Sequence, residues 1–312
     1  MTLDPQAKWV LDIAKDKGLP TLDQLSPEAA KVDYSERATT LTFKDVEIGE
    51  TFDLNIPGPL GDIPIRIYHP VGIDGPLPVL VYYHGGGWVV GNIDTHDALC
   101  RTVANKGPFV VISVDYRMGP EAPFPAAVID AVAALNWTAE NIAKYQGDLA
   151  NIAVGGDSAG GNLSAVVCLN ALKENSYLPK FQWLIYPATN MTMATDSHKS
   201  FAEGYFLTNT LMVYFQKHYL MGFDDLSDWR ASPLCAASLA GLPPALIQTA
   251  GFDPLKDEGI AYAARMNAEG SKAKHTDYGG MFHGFINLGG VLDQATVCID
   301  EGVDALNQAF QQ

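Results

Sequence analysis

The sequence predicts an α/β fold, with a mostly parallel central sheet flanked by helices. Three observations carry this. Short unbroken apolar runs recur along the chain, segments of helical spacing lie between them, and two of the runs end in clusters of glycine. Apolar runs without polar interruption suit strands buried on both faces, the habit of parallel sheets. Their alternation with helices is the pattern of βαβ units.

The elements follow in order. Residues 1–45 are polar with one amphipathic stretch, where Trp9, Val10 and Ile13 fall at helical spacing. They read as helices outside the main core. Residues 61–70 alternate Ile63, Ile65 and Ile67 with Arg66 and Tyr68, a half-buried strand. The runs at 79–83, 109–114, 152–154, 183–186 and 245–249 are the buried strands. Helical spacing is found at 124–145, 159–173, 256–269 and 292–310. The stretch between Pro187 and Pro233 is too long for a simple connection. In it Leu211, Phe215 and Tyr219 repeat at i, i+4 and i+8 behind Thr208, an N-cap. Long insertions in such folds usually serve a function. Residues 1–45 and 188–230 are therefore expected to form one cap over the strand ends. The main domain is then split into 46–187 and 231–312. Met191, Met193, Phe201, Tyr205, Phe206, Met212 and Phe215, with Trp9 and Ile13, would roof an apolar pocket there.

Composition excludes several classes. The chain has 36 Asp and Glu against 20 Lys and Arg, a net charge of −16. Nucleic acid is excluded as a partner, because phosphate neutralisation needs clustered Lys and Arg. No run of 18 apolar residues suggests a membrane span. The first residues read as no signal peptide, since charges break their apolar positions. Cys100, Cys168, Cys235 and Cys298 form no paired motif. This points to reduced thiols in a cytoplasmic protein, not to a disulfide framework. No His, Cys, Asp or Glu cluster has metal-ligand spacing.

The glycine clusters carry chemistry. Gly156-Asp157-Ser158-Ala159-Gly160 is a G-x-S-x-G placed between an apolar run and a helical segment. That is the context of a nucleophile elbow, where a tight turn exposes the serine hydroxyl. His84-Gly85-Gly86-Gly87 leaves the run at 79–83. Glycines there let backbone N–H groups reach an oxygen that becomes negative in a tetrahedral intermediate. Gly85, Gly86, Gly87 and Ala159 are the candidate donors, with two of the three glycines used. A nucleotide-binding loop fails, since no phosphate-loop motif is present. His84 reads as structural, because it sits where this loop must be anchored.

A triad built on such an elbow runs in the order serine, acid, histidine. Asp253 leaves the run at 245–249 and precedes Pro254. Its competitor, Asp257, falls one turn into the next helix, where an acid mainly favours the helix dipole. His283 follows the final strand in a glycine-flanked loop. His69 and His96 precede the serine, His198 and His218 lie in the insertion, and His275 lies within the last strand.

With these residues assembled, the chain resembles the hormone-sensitive-lipase-like esterases of bacteria, an α/β-hydrolase family, from about residue 55 onward. The resemblance rests on His84 to Trp88, Gly156 to Asn162, Asp253-Pro254-Leu255 with Asp257-Glu258, and His283-Gly284-Phe285. Asp115-Tyr116-Arg117, Pro120-Glu121 and Phe124-Pro125 match a further stretch, although Gly119 and Ala122 stand where the family often has Ala and His. Gly204 to Thr208 is also of the family's kind, and Asp157 marks the Asp-bearing branch. The resemblance implies a serine carboxylesterase that needs no cofactor and acts on short- to medium-chain acyl esters. Ser158 would be the nucleophile, His283 the base and acid, and Asp253 the orienting acid. The partner would be a small-molecule ester, and a homodimer is the assembly to expect. An amidase or peptidase would share the triad. A non-catalytic receptor of the same fold would lack a complete one.

Overall fold

The computed structural model describes residues 2–18 and 20–311. Two capped helices open the chain. In α1 (Pro5–Asp16) the Asp4 carboxylate accepts from the N–H groups of Gln6 and Ala7, and in α2 (Pro27–Ala38) the Ser26 hydroxyl accepts from Ala29. Proline at the first helical position of each costs nothing, because its missing N–H would have no partner there.

The sheet has eight strands: β1 (Glu50–Gly58), β2 (Gly61–His69), β3 (Leu77–Tyr83), β4 (Val110–Val114), β5 (Gly147–Asp157), β6 (Gln182–Ile185), β7 (Ala245–Phe252) and β8 (Ala273–Phe282). Their spatial order is β1-β2-β4-β3-β5-β6-β7-β8. β2 runs antiparallel to both its neighbours, and the other pairs are parallel. Every apolar run read as a strand lies in this sheet. The helices between strands are α3 (Asp97–Lys106), α4 (Ala126–Asn141) and α5 (Ala159–Glu174). They are followed by α6 (Asp196–Ser200), α7 (Asn209–Leu220), α8 (Lys256–Ala268) and α9 (Asp293–Phe310). Helix α3 was not expected. A parallel pair such as β3 and β4 cannot be joined by a tight turn, so a crossover element must be there. Leu99, Cys100, Val103 and Ala104 form its buried face.

Two apolar layers cover the sheet. One packs α4, α5 and α8 against β3, β5 and β7, and the other packs α3, α9 and α1 on the opposite face. A third cluster stands apart, at the C-terminal ends of the strands. It joins Ala30 of α2 and Leu211, Met212, Tyr214 and Phe215 of α7 to Val89, Val90 and Leu255. The Thr208 hydroxyl caps α7 by accepting from Leu211 N, as its spacing predicts.

The expected roof is divided. Met193, Met212 and Phe215 join the third cluster, Met191 packs into the first layer, and Phe201 and Tyr205 pack against the second. Phe206 stays exposed and stacks on Phe282. Trp9 corrects the reading of α1, because it is 49% exposed while Ala7 and Val10 are buried. The helix turns its small residues inward, where β8 comes close enough for Gly280 O to accept from Asp4 N.

Candidate active site

The G-x-S-x-G sequence makes a sharp corner between β5 and α5. Ser158 sits at φ 57°, ψ −114°, a backbone region that side chains rarely adopt. Three backbone hydrogen bonds hold it there. Ser158 N donates to Ile185 O at 2.8 Å, and Ser158 O accepts from Asn162 N at 3.0 Å and Ala188 N at 3.3 Å. The flanking glycines are needed for space. A Cβ on Gly156 or on Gly160 would run into the carbonyl oxygen of Tyr83. The corner therefore packs directly on β3 and lifts the partly exposed Ser158 to the strand ends.

The loop after β3 lies beside it. His84 is fully buried, stacks on Tyr116 at 4.4 Å and places Nδ1 2.7 Å from Gly85 O. Burial, then the nearby His96, pushes its pKa down to about 3. An anchoring role is what the sequence position implied. Gly86 at φ +119° and Gly87 at φ +59° take conformations that suit glycine. A side chain on Gly86 would strike Val90 O, and one on Gly87 would strike the ring of Phe215.

The structure narrows the four candidate donors. Gly85 N donates to Asp157 Oδ1 at 3.0 Å, so its N–H is taken. A buried carboxylate needs such partners, and this demand outweighs any role of Gly85 toward a ligand. Among the described residues, no acceptor is paired with the N–H groups of Gly86, Gly87 or Ala159.

Asp253 and His283 follow the ends of β7 and β8. His283 Nε2 lies 2.8 Å from Ser158 Oγ, and Nδ1 lies 2.7 Å from Asp253 Oδ2. The other oxygen of Asp253 accepts from Leu255 N at 2.8 Å, which fixes the carboxylate. Gly284, at φ +89°, turns the chain away immediately after His283. The Tyr186 ring supports the imidazole at a centroid distance of 4.5 Å.

The rejected residues lie elsewhere. His69 meets Phe52, His218 meets Tyr214, and His275 Nε2 is 2.9 Å from Thr249 Oγ1. His198 faces Glu258, and His96 faces Asp157. Asp257 does more than favour its own helix dipole, because its Oδ2 accepts from Ser197 N at 2.8 Å and ties α8 to α6. Three buried acids escaped the sequence reading: Asp130, which pairs with Arg117, Asp157 as a structural group, and Glu258. A signal was present for Asp157, since a carboxylate ending a fully buried stretch demands donors, whereas Glu258 sits among half-exposed helix neighbours.

A family model described as alpha/beta hydrolase fold matches residues 80–287. The chain belongs to this family. Carboxylic ester hydrolase LipN of Mycobacterium tuberculosis is 50% identical over 242 residues, covering 76% of this chain and 64% of LipN. The chain thus spans somewhat less than two thirds of that relative. Carboxylesterase NlhH, also from Mycobacterium tuberculosis, is 41% identical over 255 residues, with 80% of each chain covered. An ester-hydrolase from the metagenome of Lake Arreo, solved with a derivative of bipyridine phosphonate, matches with a TM-score of 0.96 at 42% identity. That match covers 100% of both chains. Among the described residues of this α/β hydrolase, no helix is long and apolar enough to cross a membrane. No group of three or more His, Cys, Asp or Glu there could hold a metal ion.

Proposed function

We propose that the chain hydrolyses carboxylic esters of short to medium acyl chain length through an acyl-enzyme on Ser158. The observation that carries this is the unbroken line from Asp253 through His283 to Ser158, beside N–H groups with no acceptor among the described residues. His283 Nε2 accepts the hydroxyl proton as Ser158 Oγ bonds to the ester carbonyl carbon. The carbonyl oxygen becomes negative and is held by Ala159 N–H with those of Gly86 and Gly87. One such donor is worth about 10²–10³ in kcat. The intermediate collapses, the C–O bond breaks, and His283 gives its proton to the departing alcohol. Water then repeats the sequence and releases the acid. Asp253 orients the imidazole and stabilises its cation.

The third apolar cluster supports a cap made of residues 1–45 and 188–230. Phe215 lies over Gly87, so an acyl chain leaving the carbonyl meets a roof. Each methylene buried below it adds about 0.8 kcal/mol, until the space is filled. The four cysteines are free, and three are buried, which suits the cytoplasm. The sheet ends on β8, the edge strand along which a homodimer would pair. Sedimentation of the purified chain measures that assembly.

The decisive experiment combines labelling and rates. A fluorophosphonate should label Ser158 stoichiometrically. kcat/KM over p-nitrophenyl esters from acetate to palmitate should peak at about four to eight carbons, with an anilide of the same acyl group far slower. Labelling elsewhere overturns the mechanism, and a maximum at sixteen carbons overturns the cap.

A further inference from the structure

We propose that Asp157 is a positioning residue, whose buried carboxylate ties the loop of Gly85 to Gly87 and the turn after His283 to the nucleophile elbow. It thereby sets the donors that meet the substrate oxygen. This rests on the proposed ester hydrolysis and adds a group that never touches the substrate.

Asp157 is 3% exposed and directly precedes Ser158. Four groups from separate elements converge on it. Oδ1 accepts from Gly85 N at 3.0 Å and from the Tyr82 hydroxyl at 2.8 Å. His96 Nε2 lies 3.2 Å from Oδ1 and 3.5 Å from Oδ2. Asn287 Nδ2 donates to Oδ2 at 3.2 Å. Tyr82 belongs to β3, His96 ends a short 3-10 turn, and Asn287 lies in the turn Phe285–Leu288 that follows His283. One side chain thus touches the strand before the glycine loop, that loop itself, and the turn that follows the base.

The first glycine of the loop is explained by the same group. A Cβ on Gly85 would run into Asp157 Oδ2, so glycine is needed for this close approach. The other polar anchors of the loop, Tyr116 to His84 O, His84 Nδ1 to Gly85 O, and Val89 N and Val90 N to Gly86 O, do not reach the elbow. Beside the packing of Gly156 and Gly160 on β3, the link from Gly85 N to Asp157 is the hydrogen bond that holds Gly86 and Gly87 at their distance from Ala159. Burial alone would raise the pKa of Asp157. His96, Tyr82 and His84 more than offset this and bring it down to about 2. The group is an anion at any working pH and can accept from all its donors.

Asp157→Asn keeps the shape but removes the charge, and it turns an amide N–H₂ toward one pair of donors. The expected result is a fall in kcat of about 10–100-fold per phosphonate-titrated site, since it loosens transition-state donors without removing one. KM should change by less than about threefold, the mark of an interaction made in the transition state. Inhibition by an alkyl boronic acid, which places an oxygen among the same donors, should weaken by the same factor as kcat. A merely structural role would lower the titratable fraction and leave kcat per titrated site within about twofold of the parent, and that result overturns the proposal. Should Asp157→Asn not fold, Tyr82→Phe leaves the other donors in place and should lower kcat by roughly 3–10-fold with KM unchanged. An unchanged kcat there overturns it equally. Ser158→Ala separates the two levels. Activity that persists in Ser158→Ala removes the triad itself. Activity lost there but unchanged in Asp157→Asn removes only the role of Asp157.

Discussion

Glu258 is a carboxylic acid kept without its charge, and Glu258→Gln should expose this as a pH-dependent gain in stability. The side chain is fully buried on α8. Oε1 accepts from Thr189 N at 2.5 Å and Asn190 N at 3.2 Å, while Oε2 faces His198 Nε2 at 3.4 Å. Burial pushes its pKa up from 4.5 to about 8. The two backbone N–H groups oppose this, and nearby Asp253 adds to it. The folded chain therefore keeps a proton that the unfolded chain releases above pH 4.5. Stability from this group is fully present below pH 4.5, declines as pH rises, and is lost once pH passes about 8. At about 1.4 kcal/mol per pH unit, the whole window is worth about 5 kcal/mol. The amide of the Glu258→Gln variant would keep the acceptor for Thr189 and Asn190, offer an N–H to His198, and carry no titrating proton. Its advantage over the parent should grow by about 1.4 kcal/mol per pH unit between pH 5 and pH 8. Urea unfolding of both proteins at pH 5, 6, 7 and 8 measures it, read from midpoints at constant slope. A difference that stays flat or shrinks with pH would show that Glu258 is ionised in the fold and refute the argument.

The triad makes a sharper kinetic prediction. Ser158→Ala, Asp253→Asn and His283→Ala should each lower kcat by about 10³-fold or more, and a double variant should lose little beyond the worse single one. Asp257→Asn should stay within about twofold of the parent, because an amide oxygen can still accept from Ser197 N. A dead Asp257→Asn beside an active Asp253→Asn would reverse the assignment. Gly87→Ala must fit a Cβ against the Phe215 ring at φ +59°, so kcat should fall about 10²-fold, with partial recovery in Gly87→Ala/Phe215→Ala. Incubation with EDTA should leave the rate unchanged, and a loss that zinc restores would contradict a metal-free mechanism.

While the strand order and the antiparallel β1 came from the fold, the sequence by itself determined the buried strands of a mostly parallel sheet, the elbow, the glycine loop and the three residues that align at the strand ends. These are legible because each rests on local conformation or chain order. A serine at φ 57° needs glycines two positions either side, a left-handed loop needs glycine at its corners, and parallel strands present their successors at one edge. Helix α3 and the outward face of Trp9 were decided by the tertiary structure. Helix α3 is called for by the strands it joins, although Leu99, Cys100, Val103 and Ala104 also fall at helical spacing, and the inward face of α1 is chosen by β8. The same holds for the role of Gly85. Whether its N–H faces substrate or protein depends on Asp157, which is 72 residues away in sequence. Asp157 draws on His96, 61 residues before it, and Asn287, 130 after it. Glu258 takes its partners from Thr189 and His198 in the same way. A buried polar group, charged like Asp157 or neutral like Glu258, is stabilised only by whatever partners the fold brings to it, and no local pattern in the chain records which these are.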